Sequence, residues 1–147
     1  MKDYKRLFRM DKRHSSGWRK DARNWFDFYS GEQWDAEDLA YLRSKMRPVI
    51  TFNRAAIVVN AVAGAEIQNR PEMVYSPVEP GDVQPNNMLQ SAGVWFREVS
   101  DGDFADSEAF LNSCICGMGW TETSIDYDED VKGMPKDISV DPLEFVS

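Results

Sequence analysis

Glycines and Xaa-Pro pairs divide this 147-residue chain into short segments and determine where its helices can end. The residue before a proline avoids the right-handed helical region, so the Arg47-Pro48 and Arg70-Pro71 pairs each predict the end of a helix. Gly31 and Gly117 follow apolar periodic segments, and glycine readily takes the left-handed conformation that often closes a helix. The chain is therefore predicted to form medium-length helices with a few short strands between them.

Apolar residues recur at three- and four-residue spacing in most of these segments, which indicates helices with one apolar face. Asp35 and Asn53 are good N-caps for two of them. The helix after Asn53 is apolar on nearly every side, so we expect it to be buried. The predicted helices are 15–30, 36–45, 54–69, 84–98 and one from Asp106 or Ser107 to Cys114, with Phe104, Phe110, Leu111 and Cys114 on the buried side of the last.

Strands are predicted at 72–78, 120–127 and 138–146, the last two as a hairpin across a polar turn at 128–136. The predicted fold class is α+β and mainly helical: long helices plus a small β-hairpin or sheet. Residues 141–147 resemble a strand in progress, without a cap or a closing helix. We therefore expect a chain that is truncated at its C-terminus.

Charge is distributed very unevenly along the chain. Residues 1–23 hold nine basic and three acidic residues, a net charge of +6, whereas the other 124 residues hold eight basic and 22 acidic residues, a net charge of −14. We expect a basic N-terminal arm with the start of a helix (1–24), followed by a second domain (25–147). Such an arm suits an acidic partner, either nucleic acid or protein, although it could equally be a solvated amphipathic helix. Its candidate partner-facing residues are Lys5, Arg6, Arg9, Lys12, Arg13, Arg19, Lys20 and Arg23.

Residues that could carry catalysis are few. Cys114 and Cys116 lack the spacing of zinc knuckles and redox motifs, so we expect them to pack in the core as free thiols. His14 is the only histidine, which excludes most triads. The carboxylates at 126–130 lack the spacing of an EF-hand and predict a solvated turn, with a metal-dependent enzyme as a minor alternative. No catalytic, cofactor or metal residue is predicted, and neither is a signal peptide or a membrane span.

Five motifs in order along the chain carry a family resemblance. They are 28–34 (FYSGEQW), 47–53 (RPVITFN), 64–71 (GAEIQNRP), 107–110 with 117–120 (SEAF and GMGW) and 140–142 (VDP). Together they resemble the N-terminal part of the portal proteins of tailed bacteriophages, specifically those of the short-tailed, podovirus type. The match extends over about residues 25–142.

The resemblance implies a structural virion protein rather than an enzyme. Portal proteins form a ring, usually of twelve subunits, at one capsid vertex, and the genome is packaged and ejected through it. The terminase docks on the ring, and capsid, scaffold and tail proteins also contact it. The chain would then be made in the cytoplasm of the bacterial host. Family members are several hundred residues long, so no channel-lining residue is carried over.

The matched motifs imply architectural residues rather than reactive ones. The scaffold candidates are Gly31, Gln33, Trp34, Arg47, Pro48, Asn53, Asn69, Arg70, Pro71, Gly117, Trp120, Asp141 and Pro142. In a ring, the basic arm of one subunit could lie on the acidic body of its neighbour, or it could contact DNA. An alternative function is a nucleic-acid-binding module that acts through this arm.

Overall fold

Helices make up most of the chain in the computed structural model, which describes residues 2–70, 74–128 and 130–144. Six helices precede one antiparallel hairpin in the described residues, so the mainly helical α+β prediction is confirmed. The elements are α1 Lys2–His14, α2 Ser16–Ser30, α3 Ala36–Ser44, α4 Arg54–Gln68, a 3-10 turn Pro80–Asp82, α5 Val83–Val99, α6 Gly102–Cys116, β1 Trp120–Asp126 and β2 Met134–Val140. Helices α2 to α5 agree with the predicted segments to within one residue at each end.

Helix α6 lies at the centre of the packing. It contacts α2, α4, α5 and both strands. Its buried residues are Gly102, Ala105, Ala109 and Cys116, which are all small. Small side chains allow neighbouring backbones to approach closely, and the approach is closest at Gly119, where an added Cβ would lie 1.8 Å from the carbonyl oxygen of Ala109. The segment after α6 is thus the close helix-to-strand joint that the glycines predicted.

The hairpin lies against the beginning of α6. Trp120 faces Val140 at one end of the ladder, and Asp126 faces Met134 at the other. The predicted second strand, 138–146, was placed too late, because β2 already begins at Met134. Its Pro135 is tolerated because each strand of a two-stranded sheet has an open edge.

The predicted polar turn at 128–136 was therefore too long, and the predicted end of the second strand was also wrong. Residues 142–144 form a turn, in which the Leu143 amide donates to Asp141 Oδ1 at 2.8 Å. Residues 145 and 146 of the predicted strand lie outside the described part of the chain.

Three further predictions were wrong. Helix α6 begins at Gly102 rather than at 106 or 107, because the chain breaks at Asp101 alone, which has a φ of +54°. Phe104 was expected to be buried, yet 72% of it is exposed. In the predicted strand at 72–78, residues 72 and 73 lie outside the described residues. The remainder, from 74, is not a strand, and the Tyr75 amide donates instead to the Gln90 side chain at 3.1 Å.

Helix α4 was predicted to be buried, and this was also wrong. None of its residues is buried, and Ile57 is 70% exposed. The chain as a whole exposes 11,941 Å². A compact monomer of this mass would expose about 7,700 Å². Large apolar side chains that stay exposed, such as Ile57 and Met88, contribute to this surface.

Candidate assembly interface

The arm is a helical extension of the body. Ser15 lies between α1 and α2 with helical dihedral angles, φ −80° and ψ −3°. The Ser15 amide donates to the carbonyl of Asp11 at 2.9 Å, and the Arg19 amide donates to the carbonyl of Ser15 at 2.9 Å. Helical hydrogen bonding therefore continues through the junction. Among the described elements, the backbone of α1 comes close only to α2.

Helix α1 has two distinct faces. Its apolar face carries Tyr4, Leu7 and Phe8, which are 78%, 61% and 51% exposed. The opposite face is basic: Lys5, Arg6, Arg9 and Arg13 line an open hollow together with Met10. Lys12 lies between the two faces, with its Nζ 6.0 Å from the centroid of the Phe8 ring. The result is an amphipathic, basic helix whose faces are both exposed to solvent in the chain.

The other three basic residues of the predicted arm belong to α2. Lys20 and Arg23 are exposed there. Arg19 is half-buried, and its Nη1 donates to the carbonyl of Leu143 at 2.6 Å. Arg19 thus fastens α2 to the C-terminal turn, whereas the exposed charge of the arm is concentrated on α1.

The predicted scaffold residues Gly31 and Asn53 meet where α2 ends and α4 begins. Gly31 closes α2 in the left-handed region, with a φ of +92°. Asn53 Nδ2 donates to the carbonyl of Tyr29 at 2.7 Å, while its Oδ1 accepts from the Ala56 amide at 3.0 Å. One side chain therefore both caps α4 and holds the end of α2. The Tyr29 hydroxyl adds a second link, donating to Asn60 Oδ1 at 2.7 Å.

The other scaffold candidates make local contacts. Trp34 Nε1 donates to Thr51 Oγ1 at 3.1 Å and so joins the segments before and after α3. Asp35 begins α3 without a side-chain capping bond. Trp120 is 40% exposed. Gln33 donates to the Phe28 carbonyl, and Asp141 accepts from the Leu143 amide. Asn69 and Gly117 close α4 and α6. Arg47 and Pro48 are exposed, Pro142 is buried, and Pro71 lies outside the described residues.

A polar cluster that joins α4, α5 and α6 was missed by the sequence analysis apart from Arg70. Its members are Glu66, Arg70, Arg97, Asp103, Asp106 and Ser107, which we call the arginine cluster. Arg70 Nη1 lies 3.2 Å from Asp103 Oδ2, and a further Arg70 nitrogen donates to the Ser107 hydroxyl. That hydroxyl donates to Glu66 Oε2 at 3.0 Å. The 66–70 spacing was the available signal, since residues four apart on a helix can pair.

Arg97 completes the arginine cluster from α5. Its Nη2 lies 2.7 Å from both Asp103 Oδ1 and Asp106 Oδ2. The hydrogen bond from Arg97, with its charge and that of Arg70, lowers the pKa of Asp103. The pKa of Arg97 is raised, chiefly by its hydrogen bond to Asp106. The cluster thus fixes the first turn of α6 against α4 and α5 by charge-assisted hydrogen bonds.

The hairpin is held to the α5–α6 turn by one carboxylate. Asp137 Oδ2 accepts from the buried Ser100 hydroxyl at 2.7 Å, and Asp137 Oδ1 accepts from Thr123 Oγ1 at 2.6 Å. The Asp137 amide also donates to the Ser100 carbonyl at 2.9 Å. An added Cβ on Gly102 would lie 2.8 Å from Asp137 Oδ2, so glycine is needed for this approach.

Beside this contact lies a cavity of about 570 Å³, which we call the acidic groove. Its walls come from the start of α6 and from the hairpin. Its carboxylates are Asp101, Glu108, Asp126 and Asp137, and its cation is Lys136, which lies 2.9 Å from Asp126. Phe104, Met134 and Ile138 contribute apolar wall. The Asp128 amide and then Lys136 lower the pKa of Asp126.

Large apolar side chains cover the outer faces of α4 and α5. On α4, Ile57 is 70% and Val58 63% exposed, and on α5 Met88 is 69% and Trp95 52% exposed. Apolar patches of this extent are typical of protein–protein interfaces.

The described residues hold no group of three or more His, Cys, Asp or Glu side chains arranged to bind a metal ion. Both cysteines are free thiols, and the Sγ of the buried Cys116 lies 3.2 Å from the carbonyls of Asn112 and Met118. In the described part of the chain, no helix has the length and hydrophobicity needed to cross a membrane.

A helical arm, exposed apolar helix faces and joints fixed by polar side chains are features typical of a protein that forms assemblies. Comparison with curated proteins found no match. The family model described as Phage P22-like portal protein, however, matches residues 5–146, which is nearly the whole chain. The chain belongs to the phage P22-like portal protein family, a family of virion structural proteins.

Proposed function

We propose that this chain forms part of the portal ring, the head-to-tail connector through which phage DNA is packaged and ejected. Its role there is architectural and not catalytic. The terminase, the capsid or scaffold and the tail proteins would contact the ring, and the family-typical ring has twelve subunits. The family match over residues 5–146 is the observation that carries this proposal.

The distribution of apolar surface supports the same conclusion. The accessible surface exceeds that of a compact monomer by about 4,000 Å². Permanent protein–protein interfaces bury about 2,000–5,000 Å², so the excess is of the size that stable neighbours would cover. The outer faces of α4 and α5 supply the apolar part of this area. In a ring, each subunit meets its neighbours through two different surfaces.

The test is the solution mass of the purified chain, measured by light scattering behind a sizing column at low and high salt. We expect one discrete assembly of many subunits, seen as rings with a central hole by negative-stain electron microscopy. A matched pair of variants locates the contact: Ile57→Asp on the exposed face of α4 should abolish the assembly, whereas Glu122→Ala on exposed β1 should not. A wild-type chain that stays monomeric at all concentrations would contradict the proposal.

The nucleic-acid-binding alternative depends on the basic arm alone, because the rest of the chain carries a net charge of −14. It predicts that the chain binds duplex DNA with an affinity that falls steeply as salt rises, since each phosphate contact releases counterions. Weak binding with no salt dependence would exclude it.

A further inference from the structure

The apolar face of α1, like the outer faces of α4 and α5, has no cover in the described structure. Tyr4, Leu7 and Phe8 have the spacing by which an amphipathic helix anchors in a groove. The 13 residues of α1 extend about 20 Å beyond the start of α2. The arm cannot fold back on its own body without breaking the helical hydrogen bonds at Ser15. The surface that covers the apolar face of α1 must therefore come from another molecule.

The acidic groove has the complementary chemistry. Its four carboxylates and one lysine give it a net charge of −3. Phe104 is 72% and Ile138 40% exposed on its walls. It therefore combines apolar wall and negative charge, while α1 combines an apolar face with flanking positive charge. The acidic groove offers α1 the apolar wall and the negative charge that its two faces need, and α1 offers the groove the matching apolar and basic side chains.

Resting on the proposed ring, in which copies of the chain lie side by side, we propose that α1 of one copy docks in the acidic groove of another. Tyr4, Leu7 and Phe8 lie against Phe104 and the hairpin, and Lys5 and Arg9, on the edge of the basic face nearest Phe8, face Glu108 and Asp101. This contact is heterologous, since two different surfaces meet, and so it suits a closed ring.

Two other partners fit the arm less well. Duplex DNA offers phosphates to the basic face but leaves Tyr4, Leu7 and Phe8 uncovered. An anionic lipid surface would cover both faces, but it would repel a body with a net charge of −14. Only the groove of a second copy meets the apolar face and the charge together.

Photo-crosslinking tests the contact directly. Phe8 is replaced by the photoreactive benzoylphenylalanine, and labelled and unlabelled copies of the full chain are mixed before irradiation. We expect crosslinked peptides that join position 8 of one copy to the peptide carrying Phe104 or to the Met134–Val140 strand of another. Crosslinks that form only within one copy, or only outside the groove, would overturn the proposal.

A charge exchange tests specificity. The double variant Lys5→Glu/Arg9→Glu and the groove variant Glu108→Lys should each weaken self-association by about tenfold, because each puts like charges together. Mixing the two variants should restore much of the loss, since the acidic arm of one then faces the lysine introduced into the groove of the other. The matched control, Lys20→Glu/Arg23→Glu, changes the charge equally but on α2 and should have little effect. An equal loss in the control, or no recovery on mixing, would overturn the proposal.

The outcomes separate this inference from the proposed function. If the wild type assembles but position 8 does not reach the groove, the ring stands and the docking contact falls. If the wild type stays monomeric, both fall. Duplex DNA and phosphatidylserine vesicles are added in parallel. Binding to either that is lost with Lys5→Glu/Arg9→Glu, together with no crosslink to the groove, assigns α1 to that partner instead.

Discussion

Helices α4 and α6 are each 15 residues long and largely apolar, yet they occupy opposite environments. Helix α6 is surrounded by α2, α4, α5 and the hairpin, and four of its residues are buried. Helix α4 carries five alanines, one glycine and five large aliphatic side chains, but none of its residues is buried. The difference shows that hydrophobicity alone did not select the central helix. In α6 the buried small residues Gly102, Ala105, Ala109 and Cys116 recur at spacings of three, four and seven, so they share one face that neighbours can approach closely.

In the proposed ring, a neighbouring subunit would cover the exposed face of α4. A large apolar side chain at a central position would hold the neighbouring backbones apart, whereas the same side chain on an outer face can be covered by another subunit. The sequence thus separates two kinds of apolar surface. Ala22, Ala105, Ala109 and Cys116 are buried within the chain, whereas Ile57, Val58 and Trp95 stay exposed on outer faces, where the proposed ring would place its contacts between subunits.

Among the substitutions that test this difference between α6 and α4, Gly119→Ala should have the largest effect on stability. The new Cβ would lie 1.8 Å from the Ala109 carbonyl oxygen, a backbone atom that cannot move away cheaply. We expect the free energy of unfolding to fall by about 3 kcal/mol, at the upper end of typical overpacking costs. Urea denaturation followed by circular dichroism measures it.

The matched control is Gly64→Ala in α4, where an added Cβ meets nothing within 4 Å. Alanine is the better helix former by about 1 kcal/mol, so this variant should be neutral or more stable. Equal destabilisation by both changes would mean that the joint after α6 is no tighter than the surface of α4.

Removing the Asp137 carboxylate should have the next largest effect. Asp137→Ala leaves the hydroxyl of Ser100, which is only 2% exposed, without its acceptor. An unpaired buried hydroxyl costs about 1–3 kcal/mol, and the hairpin should also loosen from α6. Hydrogen exchange of the β1 and β2 amides locates the change. The control Glu122→Ala, at an exposed position on β1, should leave exchange unaltered. Slow exchange in both variants would show that Asp137 does not hold the hairpin to α6.

A smaller effect is expected at the arginine cluster as pH falls. The pKa of Asp103 in the folded chain is lowered from 3.8, first by the hydrogen bond from Arg97. Its stabilising contribution is therefore complete above 3.8 and is lost as pH drops through the lowered folded value. Because Asp103 is 62% exposed, the contribution should be at most about 1 kcal/mol. The free energy of unfolding, measured at several acid pH values, should fall less steeply with decreasing pH in Asp103→Asn than in the wild type. Identical slopes would show that Asp103 makes no such contribution.

Much of this fold was predictable because local chemistry determines it. Gly31 and Asn53 mark helix ends through their own backbone preferences, and they lie where they were expected. The hairpin and the free cysteines were predicted for the same reason. The start of α6 was missed because Asp101 takes a left-handed conformation that favours glycine. The start of β2 was missed because hairpin register depends on its partner strand.

The site was less predictable, since its residues meet across long separations. Arg97 and Arg70 come together on Asp103 only when α4, α5 and α6 pack. The basic arm was visible as charge, but its rigid continuation into α2 depends on the conformation of Ser15. The exposure of α4 could not be predicted from periodicity, which indicates an apolar face without saying which chain covers it.

The smallest effect on the isolated chain should come from the outer face of α4. Ile57→Ser changes a side chain that is 70% exposed, so the free energy of unfolding should change by no more than about 0.5 kcal/mol. The same residue introduced by Ala105→Ser, at a position 2% exposed, buries a hydroxyl and should cost about 1–3 kcal/mol. Light scattering should show the reverse order for assembly: Ile57→Ser weakens it strongly, whereas Ala105→Ser affects it only through folding. If Ile57→Ser destabilised the isolated chain as much as Ala105→Ser, α4 would belong to the interior of the chain, and its apolar face would not be an interface.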